Sequence, residues 1–504
     1  MSNGDWGPLL EELARRKAEA RSLGGPEKLE RRKKEGRLHA RERLDRLFDA
    51  GTFVEIGALT GSVRGAGEPP APADAFVAGF GEIDGRPTLA GAEDFTVQGG
   101  SIGLAGADKR YRLTQLAAQE RVPLVFLLEG AGHRMTNALK GHGRTPHDLQ
   151  GLASLSGQVP SVCVVMGASA GHGALAAPLM DFVVMVEGGA LFAAGPPLVR
   201  ASIGEDVTKE ELGGTDVHLR TSGVAHNGAP SDTDALDLAR RYLGYFPPSA
   251  WEAPPRRDEG DTGERALDEI LDLVPADARR PYSMRRLVEL VCDSDSVLEV
   301  QPHWGRSLVT ALAFVGGRSV AVVANDPSSK AGTINSDAAE KGTRFLEVAG
   351  AFHLPVIFLA DNPGVLAGTK AERAGALRAG ARMFAAQHRL TVPKISITLR
   401  KAFGFGSSIM AMNPFDAQTL SLAFPGVTLG AMPAGGGGAA SKADASTQAE
   451  LDAHEVGGPW GAASSLAFDD VIDPRELRNV LIRALRLART RDPLGPVARV
   501  GILP

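Results

Sequence analysis

Cysteine is nearly absent. Cys163 and Cys292 are the two in 504 residues, which excludes a disulfide framework or a four-cysteine zinc site within one chain and suits a reducing compartment. A basic surplus is missing too: the formal net charge is -5 and the pI about 6.2, so nucleic acid is not expected as a main partner. No apolar run reaches membrane length. The longest stretch without a formal charge, Gly151 to Met180, is rich in Gly, Ser, Ala and Pro and includes Gln158 and His172, a composition for buried turns and not for a bilayer span. The opening "MSNGDWGPLLEELARRKAEAR" alternates apolar and charged residues without the apolar core of a signal peptide, so a cytoplasmic protein with no membrane association is expected.

The chain has ample material for folding. Its 43% hydrophobic content is that of a globular protein, and 504 residues exceed one ordinary core, so two domains are expected. The 61 glycines and 32 prolines imply many turns in which backbone meets a ligand. Leu9 to Leu47 has a helical, heavily charged pattern, read as a solvated arm, with a lid over a phosphate-bearing ligand as the alternative. Between Phe246 and Tyr282 the chain turns proline-rich and polar, as a linker does. The expected organisation is therefore a first domain over 1–246 that includes the arm, a linker over 247–282, and a second domain over 283–504.

The two halves repeat each other. "VPLVFLLEGAG" from Val122 corresponds to "LPVIFLADNPG" from Leu354, and Lys109, Arg112, Pro123 and Gly132 match Lys341, Arg344, Pro355 and Gly364 at one offset (355 - 123 = 232). Farther on, "VPSVCVVMGASAGHGALAAP" from Val159 pairs with "VPKISITLRKAFGFGSSIMA" from Val392, one residue later (392 - 159 = 233). β-Branched apolar runs that end in Gly-rich turns and lead into helices describe duplicated α/β units around parallel strands.

The later pair of turns is the candidate for chemistry. In "SAGHGAL" and "KAFGFGS" a strand gives way to a helix, leaving the N–H groups of Gly171, His172 and Gly173, and of Gly404, Phe405 and Gly406, without helical partners. With the helix dipole behind them such groups can hold an oxygen that gains negative charge, and one such donor is worth about 100- to 1000-fold in rate. A side chain there would obstruct the ligand, hence the glycines.

The segments "KEGRLHARERLDRLFDAGTFVEIG", "EDFTVQGGS", "GEDVTKEELGG", "ANDPSSKAGTINSDAAEKGTRF", "DNPGVLAGT" and "DDVIDPRELRNVLIRAL" complete a pattern from about Lys34 to Arg489. It resembles the carboxyltransferase (beta) subunit of biotin-dependent acyl-CoA carboxylases. The resemblance implies two crotonase-like domains, each a spiral of ββα units, and an active site shared between the first domain of one subunit and the second domain of its dimer partner. It assigns the thioester oxyanion donors to Gly171 and His172, with Gly173 beside them, and the donors for the ureido oxygen of carboxybiotin to Phe405 and Gly406, with Gly404 beside them. CoA is expected near Gly99, Gly100 and Ser101, and the paired Gly132 and Gly364 join the substrate-binding set with Ser408, which stands where the family often has Asp. Two facing donor sites suit a transfer in which both an enolate and an isourea-like anion develop.

The same resemblance implies a hexamer built as a trimer of dimers. No biotinylation motif and no length for a biotin carboxylase are present, so a biotin carboxylase and a biotin carboxyl carrier are expected as partners, with acyl-CoA as substrate and no metal in this chain. "PGVLAGT" leans toward propionyl- and acetyl-CoA. The chain departs from the family in having His172 and Phe405 in its turns and "EGAGHR" over Glu129 to Arg134. Four alternatives stay open: a biotin-dependent decarboxylase subunit, a crotonase-type hydrolase or hydratase using His172 or His133, a non-catalytic paralogue, and a metal cluster of His133, His142, His147 and Asp148, which shows no recognised ligand spacing.

Overall fold

A computed structural model describes residues 6–61, 71–139, 147–413, 415–490 and 494–496. The chain divides into one unit comprising Met1–Gly244 with Val497–Pro504, and a second comprising Tyr245–Pro496.

The first unit opens with α1 (Trp6–Arg21), α2 (Pro26–Lys34) and α3 (Ala40–Leu47). The solvated arm expected here is found only in α1, whose side chains are nearly all exposed. α2 and α3 are docked: Lys28 Nζ donates to the Thr96 carbonyl at 2.9 Å, Arg32 grips both carboxylate oxygens of Glu129 at 2.7 Å, and Arg43 reaches Glu129 at 2.6 Å and Asp232 at 3.1 Å. Their charge pattern resembles a wet surface because the partners lie far away in sequence.

Next come β1 (Val54–Ile56), β2 (Phe76–Ile83) and β3 (Arg86–Glu93), paired antiparallel. After α4 (Leu104–Glu120) the sheet continues in parallel through β4 (Leu124–Leu128). α5 (Asp148–Leu155) then precedes β5 (Ser161–Val165) and the short β6 (Ala168–Ala170), and α6 (Gly171–Leu179) follows directly. β7 (Phe182–Val186), β8 (Ala190–Phe192) and β9 (Asn227–Ala229) complete the unit, the sheet order being β1-β2-β3-β4-β5-β7-β9 with β6 and β8 paired separately. β4, β5 and β7 are buried along their whole length, as strands covered on both faces must be, which is why they read as unbroken apolar runs.

The second unit repeats the scheme. β10 (Leu298–Val300), β11 (Leu308–Val315) and β12 (Arg318–Asn325) are antiparallel, and β13 (Val356–Asn362), β14 (Lys394–Phe403), β15 (Leu420–Ala423) and β17 (Asp470–Val471) extend the sheet in parallel, with β16 (Thr428–Gly430) on β14. Each unit has its own apolar core. Within 247–282, Leu267, Ile270 and Tyr282 join the core of the second unit.

The duplication extends to individual bonds. Ile102 N donates to the Gly132 carbonyl at 2.8 Å, and Ile334 N, 232 residues on (334 - 102), donates to that of Gly364 at 3.2 Å. Lys109 Nζ is buried on the carbonyls of Ala73 and Phe76 at 2.8 and 2.6 Å, and Lys341 Nζ on those of Gln301 and Trp304 at 3.0 Å each. Desolvation pushes these ammonium groups down, to about 8 for Lys109 and about 7 for Lys341.

Cys163 and Cys292 are free and buried, and burial pushes both thiols up, Cys292 to about 12. Among the described residues no helix is long and apolar enough to cross a membrane.

Candidate functional site

In the first unit β6 delivers the chain into α6 at a residue with positive φ, Gly171 at +57°, a conformation that costs a non-glycine residue strain. The N–H groups of Gly171, His172 and Gly173 occupy the first turn of α6, where no carbonyl lies four residues back within the helix. Around this turn the structure gathers the other residues singled out in this half. A Cβ on Gly132 would lie 2.7 Å from the Ala170 carbonyl oxygen, and one on Gly100 2.3 Å from that of Glu129, so these segments approach too closely for side chains. The segment holding Gly99 is laced in by the bonds from Ala131 N to the Gly99 carbonyl at 3.0 Å and from Ala170 N to the Gly130 carbonyl at 3.1 Å. Ser101 is held by Arg134, whose Nε donates to Oγ at 3.2 Å and whose second nitrogen donates to the carbonyl at 2.9 Å.

Beneath the turn lies a group of buried charges. Arg110 donates from Nε to Asp148 Oδ2 at 2.6 Å and from a terminal nitrogen to Glu93 Oε1 at 2.9 Å, and its guanidinium stacks 5.1 and 4.9 Å from the Phe76 and Phe126 ring centres. Glu93 also accepts from Glu129 N at 2.7 Å, and a Cβ on Gly173 would come within 3.2 Å of its other oxygen. Burial pushes the Glu93 carboxyl up against the pull of Arg110. For Asp148 burial acts in the same sense but is outweighed by the Arg110 charge and the bond to His172, which hold it below the usual carboxylate range.

His172 joins this group through Nε2, 2.5 Å from Asp148 Oδ1. His133 and His147 meet its ring edge-on, with centroids 4.9 and 5.2 Å away. His142 lies outside the described residues. His147, Asp148 and His172 place their donor atoms within 4.8 Å of one another, but two donors on one zinc ion stand about 3.3 Å apart, and the Asp148–His172 separation is that of a hydrogen bond.

The second unit builds its turn the same way. β14 leads into a helix over Gly404–Ile409, with Gly404 at φ +57°. A Cβ on Gly406 would lie 2.6 Å from Asn362 Oδ1 and 2.8 Å from Gly364 Cα, which brings Gly364 and Gly406 together. Asn362 Oδ1 itself accepts from Gly364 N at 3.0 Å. The Phe405 ring is 56% exposed, turned to solvent instead of packed into the turn. Ser408 is half-buried, its carbonyl accepting from Gln387 Nε2 at 3.2 Å. Support comes from Asp361, paired with Arg400 at 2.8 Å, whose guanidinium also serves the carbonyls of Pro275, Asp277 and Arg280 and lies 4.5 Å from the Tyr282 ring centre.

Each unit thus gathers its own set of predicted residues. The supporting charges were missed from sequence. Glu93 ends the buried run of β3 and Arg110 faces inward from α4, and a charge in each of those positions is the available signal.

Residues 31–496 match the carboxyl transferase domain family. The chain is 33% identical to the propionyl-CoA carboxylase carboxyltransferase subunit of Haloferax mediterranei, over 98% of this chain and 99% of that one, and 34% identical to methylmalonyl-CoA decarboxylase subunit alpha of Veillonella parvula, over 97% of each. The transcarboxylase 12S crystal structure, a hexamer with methylmalonyl-coenzyme A bound, superposes with a TM-score of 0.91 at 31% identity, covering 100% of both chains.

Proposed function

Given that the chain belongs to the carboxyl transferase family, whose crotonase-like α/β fold it shares, we propose that it moves a carboxyl group between biotin and the α-carbon of a short acyl-CoA. That it is a carboxyltransferase acting on an acyl-CoA follows from membership; the particulars are the proposal. The observation that supports it best is the repetition, in two units of one chain, of a strand that enters a helix through a Gly-x-Gly turn whose first glycine has a φ of +57°.

In this reading the N–H groups of Gly171 and His172 hold the thioester oxygen, and those of Phe405 and Gly406 the ureido oxygen of carboxybiotin. The packing of Gly406 directly on Asn362 and Gly364 fixes where the N–H groups of the second turn stand, as donors to such an oxygen must be fixed. Carboxybiotin supplies the carboxyl group. The chain's own part is to orient the two reactants and to meet negative charge on each oxygen with fixed dipoles. Gly99, Gly100, Ser101 and Gly132 form the backbone floor beside the first turn, against which CoA would lie, and Gly364, Gly404 and Ser408 border the second. Propionyl- or acetyl-CoA is the proposed substrate, the biotin is borne by a separate carrier with its biotin carboxylase, and the assembly is a cytoplasmic hexamer. The near-equal likeness to the decarboxylase subunit supports the reverse direction as a second reading, with the same two turns.

The test is reconstitution with a biotin carboxylase and carrier, ATP and bicarbonate against a panel of acyl-CoAs. Carboxylation of propionyl- or acetyl-CoA is expected, and failure with every thioester would overturn the reading.

A further inference from the structure

The side chain of His172 does something its backbone amide does not. Asp148 is fully buried and held ionised by Arg110, so it accepts a hydrogen bond, and the proton between it and His172 resides on Nε2. With Nε2 engaged by Asp148, Nδ1 is the ring nitrogen left to take up a proton. That atom makes no hydrogen bond among the described residues, and the side chain remains 13% exposed. The ring is flanked by His147 at the start of α5 and by His133 after β4, which restrict its rotation. Among the described residues the charged groups beside the His172–Asp148 pair are Arg110 on α4 and Glu93 at the end of β3, and Arg110 is shared between the two carboxylates. Negative charge thus lies directly behind a ring carried by the same residue whose N–H lines the first turn. This is the arrangement of an oriented base beside an oxyanion site.

We propose that His172, backed by Asp148, removes and returns the α-proton of an acyl-CoA at the first turn without biotin, giving the protein a carrier-independent enolisation activity. The inference rests on the reading that this turn receives a thioester. The α-carbon–hydrogen bond breaks and its proton goes to Nδ1. The bonding pair moves toward the carbonyl, whose oxygen becomes the enolate oxygen at the N–H groups of Gly171 and His172. Nε2 keeps its proton toward Asp148, which stabilises the imidazolium. In D2O the imidazolium trades its proton for a deuteron, and return of that deuteron labels the α-carbon.

The experiment uses the full chain with propionyl-CoA in D2O, with no carrier, biotin or ATP, and mass spectrometry of the recovered thioester. Wild type is expected to deuterate the α-carbon. His172→Gln and His172→Gly both keep the backbone N–H and should lower exchange at least about 100-fold, with the affinity for propionyl-CoA unchanged within about threefold as the sign that the turn is intact. Asp148→Asn should lower exchange in the same assay, with a melting curve to separate this from unfolding. Exchange in wild type no faster than in a protein-free control, or undiminished in both His172 variants, overturns the proposal. Carboxylation in the reconstituted system measured alongside keeps the two readings apart: carboxylation without exchange sinks the base alone, whereas no carboxylation of any thioester sinks the function.

Discussion

Replacing Gly406 with alanine tests the second turn by adding one methyl group. The new Cβ would stand 2.6 Å from Asn362 Oδ1 and 2.8 Å from Gly364 Cα, where ordinary contact begins near 3.4 Å, so the neighbours must retreat by about 0.8 Å (3.4 - 2.6) and 0.6 Å (3.4 - 2.8). Asn362 is fully buried and already accepts from Gly364 N, and Gly364 offers backbone at a φ of +115°. Neither can swing aside like the end of a flexible chain. The helix start must therefore move, and with it the N–H groups of Phe405 and Gly406. Overpacking of this kind costs about 1–3 kcal/mol of stability, and a displacement approaching 1 Å at a reacting centre costs about 100-fold in rate. The expected outcome in the reconstituted assay is a fall of about two orders of magnitude in kcat with unchanged affinity for acyl-CoA, whose proposed site is the other unit's turn. Gly436→Ala serves as the control, since a Cβ there meets nothing within 4 Å in its helix; it should keep full activity and gain about 0.5–1 kcal/mol. A Gly406→Ala enzyme with more than a third of wild-type turnover would refute the reasoning.

Arg110→Met strands Glu93 and Asp148 as buried carboxylates without their shared cation, and should cost about 3–5 kcal/mol in urea denaturation; an unchanged midpoint would contradict this. Lys341 has a folded-state value near 7 against 10.5 for the free side chain, so between those limits the unfolded chain binds the extra proton and stability should rise with pH. Lys341→Met should flatten that rise, as followed by melting temperature across the interval. Phe405→Ala removes an exposed ring and should leave the denaturation midpoint within about 0.5 kcal/mol while raising the KM for the biotin carrier, if the ring rests on that reactant as its position at the turn implies.

The repeat was legible because it is local. Apolar runs such as Leu124–Leu128 and the Val356–Ala360 part of β13 are strands buried on both faces, and the glycines after them have two reasons: a Cβ on Gly130 or Gly132 would meet backbone oxygen at 2.4 or 2.7 Å, and Gly364 has a φ of +115°. The charge group was illegible because Glu93, Arg110, Asp148 and His172 come from β3, α4, α5 and α6, and no spacing in sequence ties them together. The same holds for Arg32 and Arg43, whose helices look solvated until Glu129 and Asp232 are brought to them. His172 stands out in the sequence as a departure from the family's turn, but its partner is identified only in three dimensions.

The two copies have since drifted apart at corresponding positions. Counting 232 onward, Glu93 falls on Asn325 and Arg110 on Gly342, and the second turn is braced by the carboxamide of Asn362, itself beside that of Asn325 at 3.5 Å. A carboxamide has no proton to gain or lose near neutrality, whereas the first copy rests on an acid and an imidazole. The ancestral duplication thus left two lobes that brace like-shaped turns with unlike groups, an imidazole–carboxylate bond in one and a carboxamide against backbone in the other.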